Sequence, residues 1–244
     1  MPRNFEWATR SRIADILKRG SGRQPYPHQV DGVSNVLRGI QQSVARRFLL
    51  YYAPRTGKTN VQACLAYIFM HLAPQAQTSL VIVVNDREAL DAQSFDVVAQ
   101  FVNSVGLPPN TTMVRADSAA DLRSVLNIHN RSAIHGQDRR FVLFTTLQKF
   151  ATQAMEDFFP TVEAASRTVV IPDEVHRSHK EWGSLSRSLE RALGHNLIPG
   201  GLLYIALTGT PSSAAMDRFG MPDADGVKTP FHSYHLGTAA LPRR

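Results

Sequence analysis

Phe48-Leu49-Leu50-Tyr51-Tyr52-Ala53-Pro54-Arg55-Thr56-Gly57-Lys58-Thr59 is the stretch whose reading decides the fold. It opens on a uniformly apolar run, Phe48–Ala53, and closes on Gly-Lys-Thr at the head of a helix-period segment, Lys58–His71. A strand apolar at every position is buried on both faces, which is the habit of a parallel sheet. Backbone N–H groups at a helix N-terminus form a prepared phosphate site, because the unpaired donors and the helix dipole both attract anions. In that role Gly57 lets the backbone approach the phosphates, Lys58 reaches the β- and γ-phosphates, and the Thr59 hydroxyl ligates Mg²⁺. Arg55 and Thr56 complete the loop. The pattern GxxxxGK(S/T) is imperfect here: Tyr52 stands at its first Gly. Arg55 also stands where many such loops have Gly, and Arg is ill suited to a position of positive φ. Read alone, the loop leaves open a chance Gly-Lys-Thr in a basic protein.

Outward from this stretch the same alternation continues. Further apolar runs are Leu80–Asn85, Thr112–Ala116, Phe141–Thr146, Thr168–Ile171 and Leu202–Thr208. Helix-period segments lie between them at Arg87–Val105, Ala119–Ile128, Leu147–Phe158 and Glu181–Leu193. Strand alternating with helix predicts an α/β fold with a mainly parallel, doubly wound sheet. Ligands of such folds bind beyond the carboxyl ends of the strands.

One of those ends carries acids: Val169-Val170-Ile171-Pro172-Asp173-Glu174-Val175-His176. Two carboxylates beside a phosphate loop divide the work. Asp173 would hold Mg²⁺ through water, and Glu174 would orient and deprotonate the attacking water. Pro172 lacks an N–H and is expected to interrupt the ladder one residue early. The bland alternative is an exposed Asp-Glu turn that caps the next helix. His176 with His179, and His232 with His235, have metal-ligand spacing, but two histidines without cysteine partners do not make a site.

The chain of 244 residues is 43% apolar, enough for a sizeable core, and carries a formal charge of +7. That charge is local: residues 1–60 hold 11 basic and 3 acidic residues, and the remainder is close to neutral. Of the basic residues 22 are Arg, which favours anionic partners or merely reflects a GC-biased genome. A single cysteine, Cys64, excludes an internal disulfide and a cysteine zinc site. It fits a reducing, intracellular setting, cytoplasmic or nuclear. No apolar run reaches the ~18–20 residues of a membrane helix, so no membrane partner is expected. Phe5–Arg19 is Arg-rich and mildly amphipathic. It reads as a surface helix or, less comfortably given Glu6 and Asp15, as an organellar import signal.

Five stretches, in this order, resemble superfamily 2 helicases and translocases. They are nearest to the motor subunit of type I restriction enzymes and to the N-terminal lobes of type III restriction and UvrB-like helicases. Arg23-Gln24-Pro25-Tyr26-Pro27-His28-Gln29 looks like the adenine-reading element, with Gln29 as an amide able to donate and accept together. Asp86-Arg87-Glu88-Ala89-Leu90-Asp91-Ala92-Gln93 resembles the family's DRxxLxxQ element, and Thr145-Thr146-Leu147-Gln148-Lys149-Phe150 its TTxQKF element. Asp173-Glu174-Val175-His176-Arg177-Ser178 resembles DEAHRS, and Thr208-Gly209-Thr210-Pro211 resembles TGTP. The resemblance implies a three-layer P-loop NTPase (RecA-like) lobe that binds ATP and Mg²⁺ through Arg23, Gln29, Arg55, Thr56, Gly57, Lys58, Thr59 and Asp173, with Glu174 and Lys58 catalytic. It further implies duplex DNA held by its backbone along Arg87, Gln93, Thr146, Gln148 and Lys149, with His176, Thr208 and Thr210 coupling the two sites.

Three segments follow from this reading: a basic N-terminal stretch (1–22), the ATP-binding lobe (23–220), and a tail (221–244) that begins a second lobe. The residues after Pro211 are too few for another α/β lobe of ~120 residues or more. The residues before Arg23 are too few for a nuclease. Because a partner lobe or subunit would supply the arginine finger, worth ~10³–10⁵ in rate, hydrolysis by this chain alone is expected to be weak or absent. A catalytically silent module that binds nucleic acid or protein stays open, while a small-molecule kinase would leave the TTLQK and LTGTP stretches without a use.

Overall fold

The computed structural model describes residues 8–71, 78–174, 179–210 and 212–234. Helix α1 (Arg10–Ser21) and helix α2 (Pro27–Gln41) precede strand β1 (Arg47–Tyr52), and α3 (Lys58–His71) follows it. Then come β2 (Leu80–Asn85), α4 (Glu88–Val105), β3 (Thr111–Arg115), α5 (Ala119–Ile134) and β4 (Arg140–Thr146). Two short 3₁₀ turns (Leu147–Ala151 and Gln153–Met155) and α6 (Val162–Ser166) lead to β5 (Thr168–Pro172). Helix α7 (His179–Ala192), β6 (Leu203–Thr208), α8 (Ser213–Phe219), a small hairpin of β7 (Met221–Pro222) and β8 (Lys228–Thr229), and β9 (His232–Tyr234) complete the described chain.

The main sheet runs β3-β4-β2-β5-β6-β1-β9, and every pairing in it is parallel. Its central strands face apolar layers on both sides, as their unbroken apolar runs predict. Val81 and Val83 of β2 pack in the layer built by α1, α2, α3 and α4, whereas Leu80, Ile82 and Val84 pack in the layer that includes α5, α7 and α8. Helix α3 is buried along nearly its whole length from Val61 to Met70, including Cys64. Ile13, Ile16 and Leu17 of α1 join the same layer, and β9 pairs with β1, so both flanks of residues 23–220 share this core and sheet.

Two local expectations change. Leu147–Phe158 does not form one helix: Thr152 is extended at φ −102 and ψ 156, and divides the segment into two 3₁₀ turns. Leu147, Phe150, Met155 and Phe158 are all buried at a spacing that also fits one helical face, so the apolar period does not reveal the extended residue at Thr152 that breaks the helix. Pro172 also interrupts less than its missing N–H suggests. It stays paired opposite Val84 of β2, and the Asp173 N–H donates to the Val84 carbonyl at 2.9 Å. The gap falls on the β6 side alone, where pairing stops at Val170 and resumes at Asp173 opposite Leu207.

The buried ring of His129 on α5 lies 2.9 Å from Ser79 Oγ. Burial, reinforced by Arg167, pushes its pKa down from 6.5 to about 4. The fold therefore favours the neutral ring, and the unfolded chain binds the proton first. Above about pH 6.5 nothing is lost, and stability declines as pH falls toward about 4 by up to roughly 3 kcal/mol. Urea midpoints of the parent and of His129→Gln should converge across that window. A parallel decline of the two proteins would assign the pH dependence to other groups.

Candidate functional site

Since the strands are parallel, their carboxyl ends share one edge, and the chemically distinctive loops leave from that edge. In sheet order, β4 ends at Thr146, β2 at Asn85, β5 at Asp173 and Glu174, β6 at Thr208, and β1 at the phosphate loop. The acids, the Thr-Gly-Thr turn and the Gly-Lys-Thr loop thus come from three adjacent strands. The two stretches expected along nucleic acid come from the next two.

The loop is shaped by two left-handed residues, Arg55 at φ 65° and Gly57 at φ 81°. Arg55 thus occupies the conformation that glycine tolerates and an L side chain resists. Between them Thr56 is buried, and its hydroxyl donates to the Ala53 carbonyl at 2.6 Å. The first turn of α2 braces the loop from behind. His28 Nε2 donates to the Thr56 carbonyl at 2.9 Å, and Gln29 Nε2 reaches the Thr56 and Gly57 carbonyls at 3.3 and 3.2 Å. Gln29 Oε1 accepts from the Tyr26 N–H at 2.9 Å, so the buried amide uses both its ends within the chain. A Cβ on Gly57 would collide with Gln29 Nε2, which gives glycine a second reason at this position. His28 is itself stacked on Tyr234 of β9, with ring centroids 3.7 Å apart, and burial lowers its pKa.

Lys58 projects from the start of α3 onto the acids. Its Nζ lies 2.9 Å from Asp173 Oδ1 and also pairs with Glu174 Oε1. These three side chains are only 14%, 14% and 17% exposed. Burial pushes the Asp173 carboxyl up, and the Lys58 ammonium counters that rise. Glu174 is left-handed at φ 53°, and its N–H donates to Asp173 Oδ1 at 2.9 Å. Gly209 faces the pair: a Cβ there would sit 3.7 Å from both Glu174 carboxylate oxygens. Thr208 is buried and ties the following turn together, its hydroxyl donating to the Thr210 carbonyl at 2.8 Å and accepting from the Thr210 N–H at 3.2 Å. Thr59 is half-buried in the first turn of α3, and Arg23 is exposed on the link between α1 and α2. His176, one of the expected coupling residues, lies outside the described residues, as does His235 of the histidine pairs. Among the described residues no group of three or more metal-ligating side chains is gathered.

Along β2 and β4 the expected residues divide by exposure. Arg87 N-caps α4 with its side chain 71% exposed, and Gln93 and Gln148 are also exposed. Thr146 and Lys149 are buried, with Lys149 Nζ 3.6 Å from Glu88 Oε1. Gln148 Nε2 donates to the Asp86 carbonyl at 3.2 Å and so ties the two stretches together. Beneath them lies a pairing that motif reading does not single out. Buried Asp91 accepts from Asn85 Nδ2 at 2.8 Å and pairs with Arg115 of β3 at 3.3 Å. Its visible signal is only an acid on the buried face of a helix.

A parallel sheet with Gly-Lys-Thr after β1 and Asp-Glu after β5 defines a RecA-like α/β lobe of the helicase kind. Residues 28–239 match the SWI2/SNF2 ATPase family, and the chain belongs to it. It is a helicase-like ATPase domain of superfamily 2, and membership implies use of a nucleotide, usually with Mg²⁺. A Methanocaldococcus jannaschii protein named for the endonuclease subunit of the type I restriction enzyme MjaIXP is 25% identical over 73% of this chain and 15% of its own length. The HindI type I restriction endonuclease subunit of Haemophilus influenzae is 26% identical over 86% of this chain and 19% of its own length. This chain therefore spans less than a fifth of those two relatives. Among solved structures, the helicase MrfA bound to DNA has a TM-score of 0.56 at 14% identity, covering 88% of this chain and 28% of that one. The UvsW helicase of bacteriophage T4 has a TM-score of 0.48 at 16% identity, covering 83% and 60%.

The left-handed Arg55 is a local cost that a glycine would relieve. Arg55→Gly should raise unfolding stability in urea by about 0.5–1 kcal/mol, once the greater freedom of glycine in the unfolded chain is subtracted. Gly57→Ala should do the opposite and lower it. A loss of stability in Arg55→Gly would mean that the arginine side chain contributes more than its backbone costs.

Proposed function

We propose that this chain is the ATP–Mg²⁺-binding lobe of a DNA translocase or helicase. The observation that carries the reading is the contact of Lys58 with Asp173 and Glu174 across the ends of β1 and β5. An ammonium already stands between the two carboxylates, so the acids have the chemistry and spacing to hold a cation. With phosphates in the loop, Lys58 would turn to them, and the Thr59 hydroxyl together with Asp173, through water, would hold a divalent ion. Bound there, Mg²⁺ would neutralise charge building on the phosphates. Glu174 then takes the proton from the attacking water and holds that water in line.

Arg55, Thr56 and Gly57 present the loop backbone to the phosphates. Arg23 serves the nucleoside end from the exposed link between α1 and α2, and Gln29 serves it through the loop carbonyls it braces. Arg87, Gln93 and Gln148 offer the exposed face for a DNA backbone, which the DNA-bound state of MrfA supports by analogy of fold. Thr146 and Lys149 act from behind that face by fixing its shape. Thr208 and Thr210 take the coupling role: β6 stands between the phosphate loop of β1 and the acids of β5, and β5 in turn borders β2, from which Arg87 follows. A second lobe or a partner subunit completes the ATP site, and hydrolysis by this lobe alone is slow.

Titration with ATP and Mg²⁺ tests the reading. The parent should bind, and Lys58→Ala should bind at least about tenfold more weakly, through loss of a charge-assisted phosphate contact. Steady-state hydrolysis by the purified chain should stay far below that of a complete motor, with or without duplex DNA. If parent and variant both ignore ATP, the silent binding module is the better reading. Rapid, DNA-stimulated turnover by this chain alone would reject the need for a second lobe.

Arg87→Ala with Gln148→Ala should weaken binding to a short duplex irrespective of sequence and flatten its salt dependence. Unchanged duplex affinity and salt slope would remove that edge from the DNA path.

A further inference from the structure

A cavity of about 460 Å³ opens on the side of the molecule away from the phosphate loop. Its walls come from the segment before α6 and from the end of α7 with the turn beyond it, which lead into the amino ends of β5 and β6. Its size falls within the range of sites that enclose a ligand or a bulky side chain. Phe159, Pro160 and Leu197 supply an apolar floor, with Phe159 71% and Leu197 44% exposed. Large apolar side chains left open beside a concavity mark a contact surface more often than scattered ones do.

The rim is cationic. Arg187 and Arg191 lie one turn apart on α7 and so share a face. Glu190 does not offset them: its carboxylate is taken by Arg218 at 2.9 Å and by Arg47 at 3.3 Å. Neither Arg187 nor Arg191 has an ion pair with another described residue. The wall is also tightly built. Gly194 turns at φ 71°, and a Cβ there would come within 2.9 Å of Ala165, Leu197 and Pro160, so the cavity is set by close packing.

We propose that this cavity docks an acidic segment of a partner protein or domain. One bulky apolar side chain of that segment sits on Phe159, Pro160 and Leu197, and its carboxylates meet Arg187 and Arg191. Arginine and aromatic side chains around a desolvated pocket are the composition of interface centres. A nucleic-acid backbone would satisfy the arginines and leave the apolar floor facing water, which is why a peptide fits better. The site lies at the strand ends opposite Lys58, so it does not rest on the nucleotide reading.

Three fluorescein-labelled peptides test it against the whole chain by anisotropy. The first surrounds a Trp-Leu pair with glutamates, the second replaces the pair by serines, and the third replaces the glutamates by lysines. The first should bind at least about tenfold tighter than the others. Arg187→Glu with Arg191→Glu, and separately Leu197→Asp, should each weaken it about tenfold, with thermal unfolding unchanged because these side chains are exposed. Lys18→Glu on α1, a charge reversal far from the cavity, should leave binding intact.

No binding of the first peptide, equal binding of all three, or an equal loss in Lys18→Glu overturns the proposal. So does a short duplex whose binding is abolished by the arginine changes when the acidic peptide is indifferent to them, since the arginines then serve phosphate.

Discussion

The contact between Lys58 and the Asp173–Glu174 pair joins segments 116 residues apart and decides what the rest of the site can be. Two neighbouring carboxylates at the end of β5 repel each other, and both are largely shielded from water. The ammonium between them resolves that repulsion. As a source of stability the cluster is modest, because burying three charged groups costs about as much as their attraction returns. Its weight lies in selectivity. In the proposed reading, a phosphate that drew Lys58 away would leave two acids uncompensated and so favour a cation arriving with it.

The sheet converts that local chemistry into a layout. With β5, β6 and β1 adjacent and parallel, the acids, the Thr208–Thr210 turn and the phosphate loop are forced onto one edge. With β2 and β4 next in order, Arg87 and Gln148 fall on the same edge at a distance from Lys58. The basic first quarter of the sequence is divided by the same geometry. Arg47 begins β1 and pairs with Glu190, whereas Arg55 and Lys58 lie beyond its other end, ~20 Å away for six residues. Arg10 pairs with Asp31 of α2. Arg10, Arg47 and the Arg55–Lys58 loop therefore carry their share of the local charge excess to separate places in the fold.

Much of this was legible because buried parallel strands announce themselves by unbroken apolar runs. Leu80–Asn85 is readable to the residue from its unbroken apolar run, and Lys58–His71 because the Gly-Lys-Thr loop fixes where its helix starts. Helix α2 was harder to see. Gly32 and Gly39 look like helix breakers, but they are the points of closest approach: a Cβ on Gly32 would strike the Tyr52 hydroxyl, and one on Gly39 would lie 2.7 Å from Phe48. Strand β9 has three residues and gains its identity only from β1, to which nothing local points. The brace of His28 and Gln29 on the loop carbonyls is invisible for the same reason. A sequence shows an amide and an imidazole near a phosphate loop, but which of their atoms face ligand and which face backbone is set by packing.

The two places where a side chain adopts a glycine-like backbone within the site, Arg55 and Glu174, flank the same small space. Each costs on the order of 1–2 kcal/mol relative to an ordinary conformation. Neither is forced by the sheet, since β1 has already ended at Tyr52 and β5 at Pro172. Arg55 lies three residues before Lys58, and Glu174 is one of the two acids that Lys58 meets. Relaxing Glu174 to an extended conformation would redirect its carboxylate away from Lys58 and leave Asp173 to share the ammonium alone. At Glu174 the unfavourable backbone and the ion pair belong to one residue, whose N–H donates to Asp173 Oδ1 while its carboxylate pairs with Lys58.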